Sequence, residues 1–486
     1  MKTSAQMNPA QSAMIAALAD TVDRRVIVTD AASIAPWLED WRGRYHGSAP
    51  ALLAPSTTAE VAAIVRAAAE YRVPLVPQGG NTSMVGGATP PADGSALILS
   101  LRRMDRIRAL DDEGGLVVVE AGVILQTLQE AALAAGRRFP LTLGARGSAT
   151  IGGLVSTNAG GTQVLRFGTM RGLVAGVEAV LPDGTIHDGL AALKKDNRGY
   201  DLTQLLVGAE GTLGIVTAAT LRLVPAIAAR AVAWVGVHGP DVALRLLRML
   251  ERGTALIEGF ELLPAESLDA VVAHVAGARA PLSGTHAWHV LIEAATSDPG
   301  VDPAAILEPL LADALAQGLG DDAVIAASEA QAEAFWRIRD SISASERAQG
   351  PATQHDISVP VDAMPRFMTG AAAACQARFP GTHASGFGHL GDGNVHFHVR
   401  APAGASPERW YAEEAQAVTA FVHDLVVAAG GSISAEHGIG QMKAAELERL
   451  SSPARMAALH AVKHAFDPHG LFNPGKLVLA PRASTP

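Results

Sequence analysis

Hydrophobic positions along the chain follow two different spacings, which predicts a protein built from both helices and strands. Residues 59–71 place small apolar side chains at helical spacing, so we predict a helix there. Short apolar runs between turn residues predict strands at 73–76, 97–101, 116–120 and 174–181. This alternation continues to about residue 226 and indicates an α+β or α/β domain.

A second pattern begins near residue 231. Helices are predicted at 241–252 and 303–317, between strands at 232–237, 254–262, 286–293 and 323–327. We interpret this part as a second module whose antiparallel sheet carries helices on one face. The end of the chain is predicted to be helical as far as the Pro- and Gly-rich stretch 467–476.

The composition is that of a globular protein and argues against a nucleic-acid partner. The chain has 486 residues, of which 49% are hydrophobic, and its formal net charge is −10 with a pI near 5.9. An acidic protein that handles an anionic substrate has to concentrate positive charge locally.

Cysteine usage and the N-terminus point to a cytoplasmic protein. Cys375 is the only cysteine, which excludes an intrachain disulfide and a cysteine-based metal or iron–sulfur site. The N-terminal residues lack the long apolar core of a signal peptide. The sequence contains no run of about 18 uncharged apolar residues, which is the length that would predict a membrane span. We therefore expect a cytoplasmic location and no transmembrane segment.

Glycine clusters in three segments that could approach a ligand closely. The first, 77–87, reads Pro-Gln-Gly-Gly-Asn-Thr-Ser-Met-Val-Gly-Gly and follows an apolar strand; the others are 148–161 and 208–217. Glycines allow successive backbone N–H groups to point at a pyrophosphate without a lysine. Taken singly, such segments are more often ordinary turns.

A fourth glycine motif has a different meaning. Residues 386–391, Gly-Phe-Gly-His-Leu-Gly, match the dinucleotide fingerprint G-x-G-x-x-G. That fingerprint requires a strand before it and a helix after it, whereas the pattern here predicts a strand at 394–399. We therefore exclude a Rossmann-type site at this position.

Histidines and one glutamate cluster in two glycine-flanked segments. His389, His396 and His398 lie in 388–398, and Glu436 and His437 lie in 432–440. His396 and His398 are two apart on a predicted strand and share a face, and His389 could fold back beside His396 across the turn. A lone histidine is usually structural, but this set could hold Zn²⁺ or Mn²⁺ or transfer protons.

Two arginines could supply the positive charge that an anionic substrate needs. Arg337 and Arg339 lie in the predicted helix Phe-Trp-Arg-Ile-Arg-Asp-Ser-Ile-Ser, and Arg337 is interpreted as an exposed helix charge. Ser343 follows Arg339 by one helical turn and shares its face.

Together, the glycine segments with their links 177–184 and 196–206 resemble the FAD domain of the vanillyl-alcohol oxidase / p-cresol methylhydroxylase superfamily. Within it, residues 45–480 resemble the FAD-linked D-lactate, glycolate and D-2-hydroxyglutarate dehydrogenases. The resemblance implies an α+β fold: a two-subdomain FAD-binding domain of the p-cresol methylhydroxylase type, an α/β substrate (cap) domain with an antiparallel sheet, and a C-terminal helical segment. We predict an N-terminal helical segment at 1–44, the FAD domain at 45–226, the substrate- and metal-binding domain at 227–430, and a segment returning to the flavin at 431–486.

The resemblance also implies which residues contact FAD. We expect these contacts from Gln78, Gly79, Gly80, Asn81, Thr82, Ser83, Gly86, Ser148, Thr150, Ile151, Gly152, Ser156, Asn158, Gly160, Glu210, Gly214, Ile215 and Asn473. Some relatives attach the flavin through a histidine in the first loop. Residues 77–91 contain neither histidine nor cysteine, so we expect FAD to be bound non-covalently.

The same family pattern implies the roles of the histidine cluster. The metal ligands correspond to His389, His396 and Glu436, which would hold Zn²⁺ or Mn²⁺, and the general base corresponds to His437. The position of Arg339 binds the substrate carboxylate in the family, so Arg339 is expected to act in catalysis together with His437.

Substrate contacts are also expected from Ser343, Gln354 and His398, and two of these depart from the family pattern. D-2-hydroxyglutarate dehydrogenases have lysine where Gln354 stands and tend to have asparagine where His398 stands. The loss of the lysine weakens the case for a second substrate carboxylate, although glutamine can still donate hydrogen bonds to one.

These features predict an FAD-dependent, metal-assisted dehydrogenase that oxidises a D-2-hydroxy acid, with D-2-hydroxyglutarate favoured over D-lactate, D-malate and glycolate. An enzyme acting on another alcohol, with a structural histidine cluster, is one alternative. A non-catalytic flavin-binding subunit of a larger complex is another, against which the retained histidines and glutamate argue. We expect electrons to pass to a separate acceptor such as electron-transfer flavoprotein or a quinone, and a homodimer is an open expectation.

Overall fold

The computed structural model describes residues 6–479 of the chain and divides into two compact units. Unit 1 contains the residues up to Gly160, Gly168–Pro225 and the residues from Glu436 onward; unit 2 contains Gly161–Phe167 and Ala226–Ala435. Residues 1–5 and 480–486, which belong to the predicted N-terminal and C-terminal segments, lie outside the described residues.

Helices occur in both units and are numbered here in chain order. Within residues 6–479 they are α1 (Pro9–Leu18), α2 (Ala31–Ile34), α3 (Thr58–Tyr71), α4 (Leu125–Ala134), α5 (Ile151–Thr157), α6 (Val164–Phe167), α7 (Met170–Leu173), α8 (Leu202–Leu206), α9 (Pro240–Gly253), α10 (Ala265–His274), α11 (Pro303–Ala316), α12 (Glu329–Arg347), α13 (Met364–Arg378), α14 (Pro407–Arg409), α15 (Ala415–Ala428), α16 (Ala444–Leu450) and α17 (Pro453–Phe466). A π-helical turn, Trp410–Glu414, joins α14 to α15. No helix among the described residues is both long enough and apolar enough to cross a membrane.

The strands are numbered in the same way. Within the same residues they are β1 (Ile27–Val28), β2 (Leu52–Leu53), β3 (Leu75–Gln78), β4 (Leu97–Ser100), β5 (Ile107–Asp111), β6 (Leu116–Glu120), β7 (Arg137–Arg138), β8 (Val174–Val180), β9 (Ile186–Gly189), β10 (Ile215–Arg222), β11 (Val224–Pro225), β12 (Ala229–Val237), β13 (Ile257–Pro264), β14 (Trp288–Thr296), β15 (Asp322–Ile325), β16 (Ala352–Ser358), β17 (His383–His389) and β18 (Asn394–Arg400).

Unit 1 contains two main sheets and one short strand pair. The first sheet has the order β1-β2-β4-β3, in which β2 and β3 run parallel to β4. The second is antiparallel, with the order β5-β6-β10-β8-β9, and β7 pairs with β11. The predicted strand 73–76 begins instead at Leu75, since α3 is followed by Arg72 in the left-handed conformation (φ 55°) and by Pro74.

The C-terminal segment is tied to the first sheet of unit 1. The Leu75 N–H donates to the Leu471 carbonyl (2.8 Å), and the Asn473 N–H donates to the Leu75 carbonyl (2.8 Å). At the end of α17, Lys463 donates to the carboxylate of buried Asp467 (2.6 Å). Residues 471–473 therefore pair with the start of β3 as an added backbone segment.

Unit 2 is built on one seven-stranded antiparallel sheet, with the order β15-β12-β14-β13-β17-β18-β16. Helices α9, α11, α13 and α15 pack on one face, where Phe260 and Phe397 are buried. Helices α10 and α12 pack on the other face, where Trp234 is buried. The predicted placement of helices on one face is therefore wrong, because adjacent residues such as Trp234 and Val235 are buried on opposite faces.

In the half of the sheet formed by β17, β18 and β16, most side chains on the side where α10 and α12 pack are polar. Phe387 belongs to the apolar cluster on that side, and strand register places polar residues beside it. We call these residues the polar half-face: Gln354, Asp356, Ser385, His389, His396 and His398. The stretch 386–391 leads from β17 through a turn into β18, which confirms that it is not a dinucleotide fingerprint.

Candidate active site

The first glycine segment of unit 1 packs directly against the second. A Cβ atom on Gly79 would lie 2.1 Å from Thr150 Oγ1, and one on Gly80 would lie 1.9 Å from the Ser148 carbonyl oxygen. Only glycine allows this approach, so the turn after β3 rests on the backbone that leads into α5. The two segments together form a narrow backbone cradle.

Three buried oxygens around this cradle have no hydrogen-bond partner within the part of the chain that the structure describes. They are Gln78 Oε1, Thr150 Oγ1 and Asn473 Oδ1. The amide nitrogen of Gln78 donates to the Trp37 and Ala88 carbonyls, so its side chain is fixed in place. Unpartnered buried polar atoms are uncommon in native proteins and fit a polar ligand, and FAD would supply such groups here.

A buried carboxylate joins the third glycine segment to the loop of His437. Glu210 accepts hydrogen bonds from the N–H groups of Ile439 and Gly440, both at 2.7 Å. Burial raises the pKa of Glu210, and these two N–H donors act in the opposite direction. Gly438 has φ +78°, and a Cβ there would lie 2.8 Å from Glu210 Oε1, so this loop fits closely over the carboxylate.

The remaining residues expected to contact FAD also lie in unit 1. Asn81 and Asn158 adopt left-handed backbone conformations at φ 55° and φ 50°, and the Ser83 hydroxyl accepts the Gly87 N–H at 3.0 Å. The others in this unit are Thr82, Gly86, Ile151, Gly152, Ser156, Gly160, Gly214 and Ile215.

In unit 2 a second buried carboxylate holds two of the residues singled out from the sequence. Glu261 accepts Arg339 Nε–H at 2.7 Å and lies 2.6 Å from His389 Nδ1. Burial opposes ionisation, but the charges and hydrogen bonds of Arg339 and His389 lower the pKa of Glu261 to about 2. With Nδ1–H donated to Glu261, His389 presents Nε2 as an acceptor, and Arg339 Nη2 lies 3.1 Å from it.

The polar half-face brings the histidines of unit 2 together. The rings of His389 and His396 are 5.5 Å apart between centroids, and Phe387 packs 5.1 Å from His396. His398 lies opposite Gln354 and Ser385 in register. The expectation that His389 folds back beside His396 is confirmed.

A third carboxylate binds His398. Its Nδ1 forms a hydrogen bond with Glu346, whose other oxygen accepts the Ser267 hydroxyl at 2.8 Å. Burial opposes the shift, but the hydrogen bond and charge of His398 lower the pKa of Glu346. On helix α12, Ser343 is partly buried and Arg337 is exposed as expected.

The last two residues of the predicted cluster follow directly on unit 2 in the chain. Ser432 pairs with Ser358 at the end of β16 through two backbone hydrogen bonds of 2.8 and 3.0 Å. Unit 2 ends at Ala435, and Glu436 and His437 are the first residues of the C-terminal part of unit 1, where both are partly buried.

Comparison with known protein families decides the classification. The model of the FAD-linked oxidase C-terminal domain matches residues 227–477, and that of an FAD-binding domain matches residues 49–189. This chain belongs to the FAD-linked oxidases. It is therefore a flavin-dependent oxidoreductase, as expected from the glycine segments.

Curated relatives of this FAD-linked oxidase carry the names of D-2-hydroxy acid dehydrogenases. It is 37% identical to the mitochondrial D-2-hydroxyglutarate dehydrogenase of Bos taurus, with 96% of this chain and 83% of that protein covered. It is 36% identical to the D-2-hydroxyglutarate dehydrogenase of Xanthomonas citri pv. viticola, with 95% and 96% covered. A putative mitochondrial D-lactate dehydrogenase of Schizosaccharomyces pombe is 32% identical, with 93% and 86% covered.

Solved structures confirm the fold of this FAD-linked oxidase. A structure of p-cresol methylhydroxylase with substrate bound aligns with a TM-score of 0.76 over 99% of each chain, at 14% sequence identity. At that identity the likeness concerns the fold alone. The expected fold class, an FAD domain of this type with a second α/β domain, is confirmed.

Sequence reasoning missed the two carboxylates of unit 2, Glu261 and Glu346, that hold Arg339, His389 and His398. A signal for Glu261 was present, since it interrupts the apolar strand Ile-Glu-Gly-Phe-Glu-Leu-Leu-Pro of β13. Charged residues are rarely buried unless they are paired. Its partners could not be read from the sequence because they lie 78 and 128 residues away.

The glycine cradle yields a prediction for flavin binding. Gly80→Ala should push the first segment away from Ser148 and lower FAD affinity, because the added Cβ would overlap a backbone carbonyl at 1.9 Å. Titration of apoprotein with FAD measures the effect. Gly144→Ala is the control, since a Cβ there meets nothing within 4 Å. Equal FAD affinity for both variants would contradict the cradle.

The Glu261 network yields a prediction for stability. Glu261→Gln should lower the free energy of unfolding by about 3–5 kcal/mol near pH 7, because it leaves the largely buried guanidinium of Arg339 without its counter-ion. The pKa of Glu261 lies below its ordinary 4.5, so the stabilisation is present above about pH 4.5 and is lost towards pH 2. Denaturant unfolding at several pH values measures the difference. The exposed Glu308→Gln is the control, and a difference independent of pH below 4.5 would contradict this account.

Proposed function

We propose that this FAD-linked oxidase is a dehydrogenase that converts D-2-hydroxyglutarate to 2-oxoglutarate. The observation that carries the proposal is the grouping of Arg339 and Glu261 with His389 of the polar half-face. A partly buried arginine held beside an imidazole suits a 2-hydroxy acid, which presents a carboxylate next to a hydroxyl. The names of the relatives from Bos taurus and Xanthomonas support the same substrate.

The residues divide the reaction as follows. Arg339 holds the substrate C1 carboxylate, with Ser343 on the same helix face as a further donor. His437 takes the proton of the hydroxyl group as general base. The Cα–H bond breaks with its electron pair and a carbonyl forms, so the 2-oxo acid is produced. FAD, when bound by the glycine segments of unit 1, would supply the two-electron acceptor, with hydride-accepting chemistry at its N5.

We further propose that His389, His396 and Glu436 hold Zn²⁺ or Mn²⁺. Two imidazoles and a carboxylate are a donor set that both ions accept. Glu436 is four residues beyond Ser432, which pairs with β16, so an extended chain could carry it at most roughly 14 Å from that strand. The ion would supply Lewis acidity at the substrate hydroxyl. Arg339 Nη2 would have to leave His389 Nε2 when the ion binds, which makes this donor available to the substrate.

A separate acceptor, such as electron-transfer flavoprotein or a quinone, reoxidises the flavin, since oxidation of each substrate leaves two electrons on it. We propose a cytoplasmic enzyme, because its single cysteine is buried and forms no disulfide, and we keep the homodimer as part of the proposal.

D-Lactate is the second candidate substrate, with D-malate and glycolate as further ones. Gln354 carries no charge where a lysine would favour a second carboxylate, and the relative from Schizosaccharomyces pombe is named a putative D-lactate dehydrogenase.

The flavin attachment can be tested directly. Acid precipitation of the yellow holoenzyme should release intact FAD into the supernatant, because residues 77–91 contain no histidine or cysteine for a covalent bond. Absorbance and chromatography of the supernatant measure the release. Flavin remaining in the protein pellet would contradict non-covalent binding.

Turnover tests the proposed reaction. Wild-type enzyme with an artificial acceptor should oxidise D-2-hydroxyglutarate faster than D-lactate, D-malate or glycolate, and a chelator should abolish turnover while FAD stays bound.

His437→Ala should lower kcat about 10²–10⁴-fold, the usual loss for a general base, and keep its metal. The exposed His464→Ala is the control. Active enzyme without metal in elemental analysis would refute the metal site, and preference for D-lactate would refute the substrate.

A further inference from the structure

A cavity in unit 2 lies at the end of the polar half-face. Its walls include Gln354, Ser385 and His398, which stand side by side across β16, β17 and β18. Glu346 and Arg400 complete the charged part of the lining. Arg400 is the last residue of β18 and follows His398 by two residues, so both side chains leave the same face of the sheet.

The carboxylate of Glu346 in this cavity forms hydrogen bonds with groups other than Arg400. Glu346 accepts the Ser267 hydroxyl with one oxygen and binds His398 Nδ1 with the other. His383, which also lines the cavity, pairs with Glu266 at 2.8 Å. These hydrogen bonds account for Glu346 and His383 without using Arg400.

Arg400 differs from the other arginine near the polar half-face. Arg339 is bound to the buried carboxylate of Glu261. No residue of unit 2, all of which the structure describes, forms a hydrogen bond or a close ion pair with the partly buried Arg400, although its charge helps to lower the pKa of Glu346. Its planar set of five N–H donors therefore faces a cavity whose carboxylate is already satisfied.

We propose that Arg400 binds the second carboxylate of a dicarboxylic D-2-hydroxy acid and makes the enzyme selective for such substrates. This inference rests on the proposed function, in which Arg339 holds the first carboxylate. Guanidinium groups bind carboxylates through two parallel hydrogen bonds, and Gln354 and Ser385 add neutral donors in the same cavity. Arg400 lies two residues, roughly 7 Å of strand, beyond His398. It supplies the cation that Gln354 does not.

Kinetics of three variants test the selectivity. Arg400→Gln should lower the ratio of kcat/KM for D-2-hydroxyglutarate to kcat/KM for D-lactate at least about tenfold, mainly through KM, because it removes a charged hydrogen bond. Arg400→Lys keeps the charge and should retain part of the ratio. The control is Arg337→Gln, which removes the same charge from the exposed face of α12 and should leave the ratio at the wild-type value.

Binding of non-reacting acids tests the same site without turnover. Glutarate and butyrate are titrated into oxidised holoenzyme, and flavin absorbance reports both the binding and the folded state of each variant. Arg400→Gln should weaken glutarate binding at least about tenfold relative to butyrate binding. Equal weakening of both acids, no weakening, or a wild-type enzyme that does not bind glutarate would overturn the proposal.

The two experiments separate this inference from the proposed function. Wild-type enzyme that oxidises no D-2-hydroxy acid, but binds glutarate in a manner that depends on Arg400, refutes the function and supports the dicarboxylate site. Wild-type enzyme that oxidises D-2-hydroxyglutarate with the same selectivity as Arg400→Gln supports the function and refutes the role of Arg400.

Discussion

The arrangement of the candidate site in unit 2 depends on the ionised carboxylate of Glu261. Burying a charge in a sheet is costly unless a charged partner and hydrogen bonds compensate it, and Glu261 has the guanidinium of Arg339 and a hydrogen bond from His389. The same residue stands opposite His389 where β13 pairs with β17. One carboxylate therefore sets the orientation of an arginine on a helix and the tautomer of a histidine on a strand. A hydrophobic residue at this position would fit the core better and would leave both groups without direction.

Unit 1 also contains a buried glutamate, which fixes a loop and not an arginine and a histidine. Glu210 has no arginine; its two oxygens accept the N–H groups of Ile439 and Gly440, and thereby hold the loop that contains His437. In both units a buried glutamate converts a distant chain segment into a fixed part of a site. At Glu261 the partners more than offset the cost of burial, whereas at Glu210 burial outweighs the two N–H donors and raises the pKa of the carboxyl group.

Local sequence patterns predicted the elements but not the contacts between them. Helix α3 and strands β4, β6 and β8 follow from spacing within a few residues, and the glycine segments identified the flavin domain. The helices on both faces of the unit 2 sheet were not predicted, because strands buried on both sides lose the alternation that distinguishes a covered face from an exposed one. The pairing of Glu346 with His398 was not predicted because 52 residues separate them in the sequence.

His398 stands where D-2-hydroxyglutarate dehydrogenases tend to have asparagine, and its hydrogen-bond partner changes the interpretation of this difference. Considered alone, a histidine at this position could add positive charge to the substrate cavity. In the structure its Nδ1 is bound to Glu346, so any charge it carries is largely balanced by the carboxylate and contributes little net field to the cavity. Glu346 in turn has both oxygens engaged. Arg400 therefore adds to the cavity lining a guanidinium that has no hydrogen-bond partner in unit 2, and its charge acts on Glu346, so a substrate carboxylate would share this charge with Glu346.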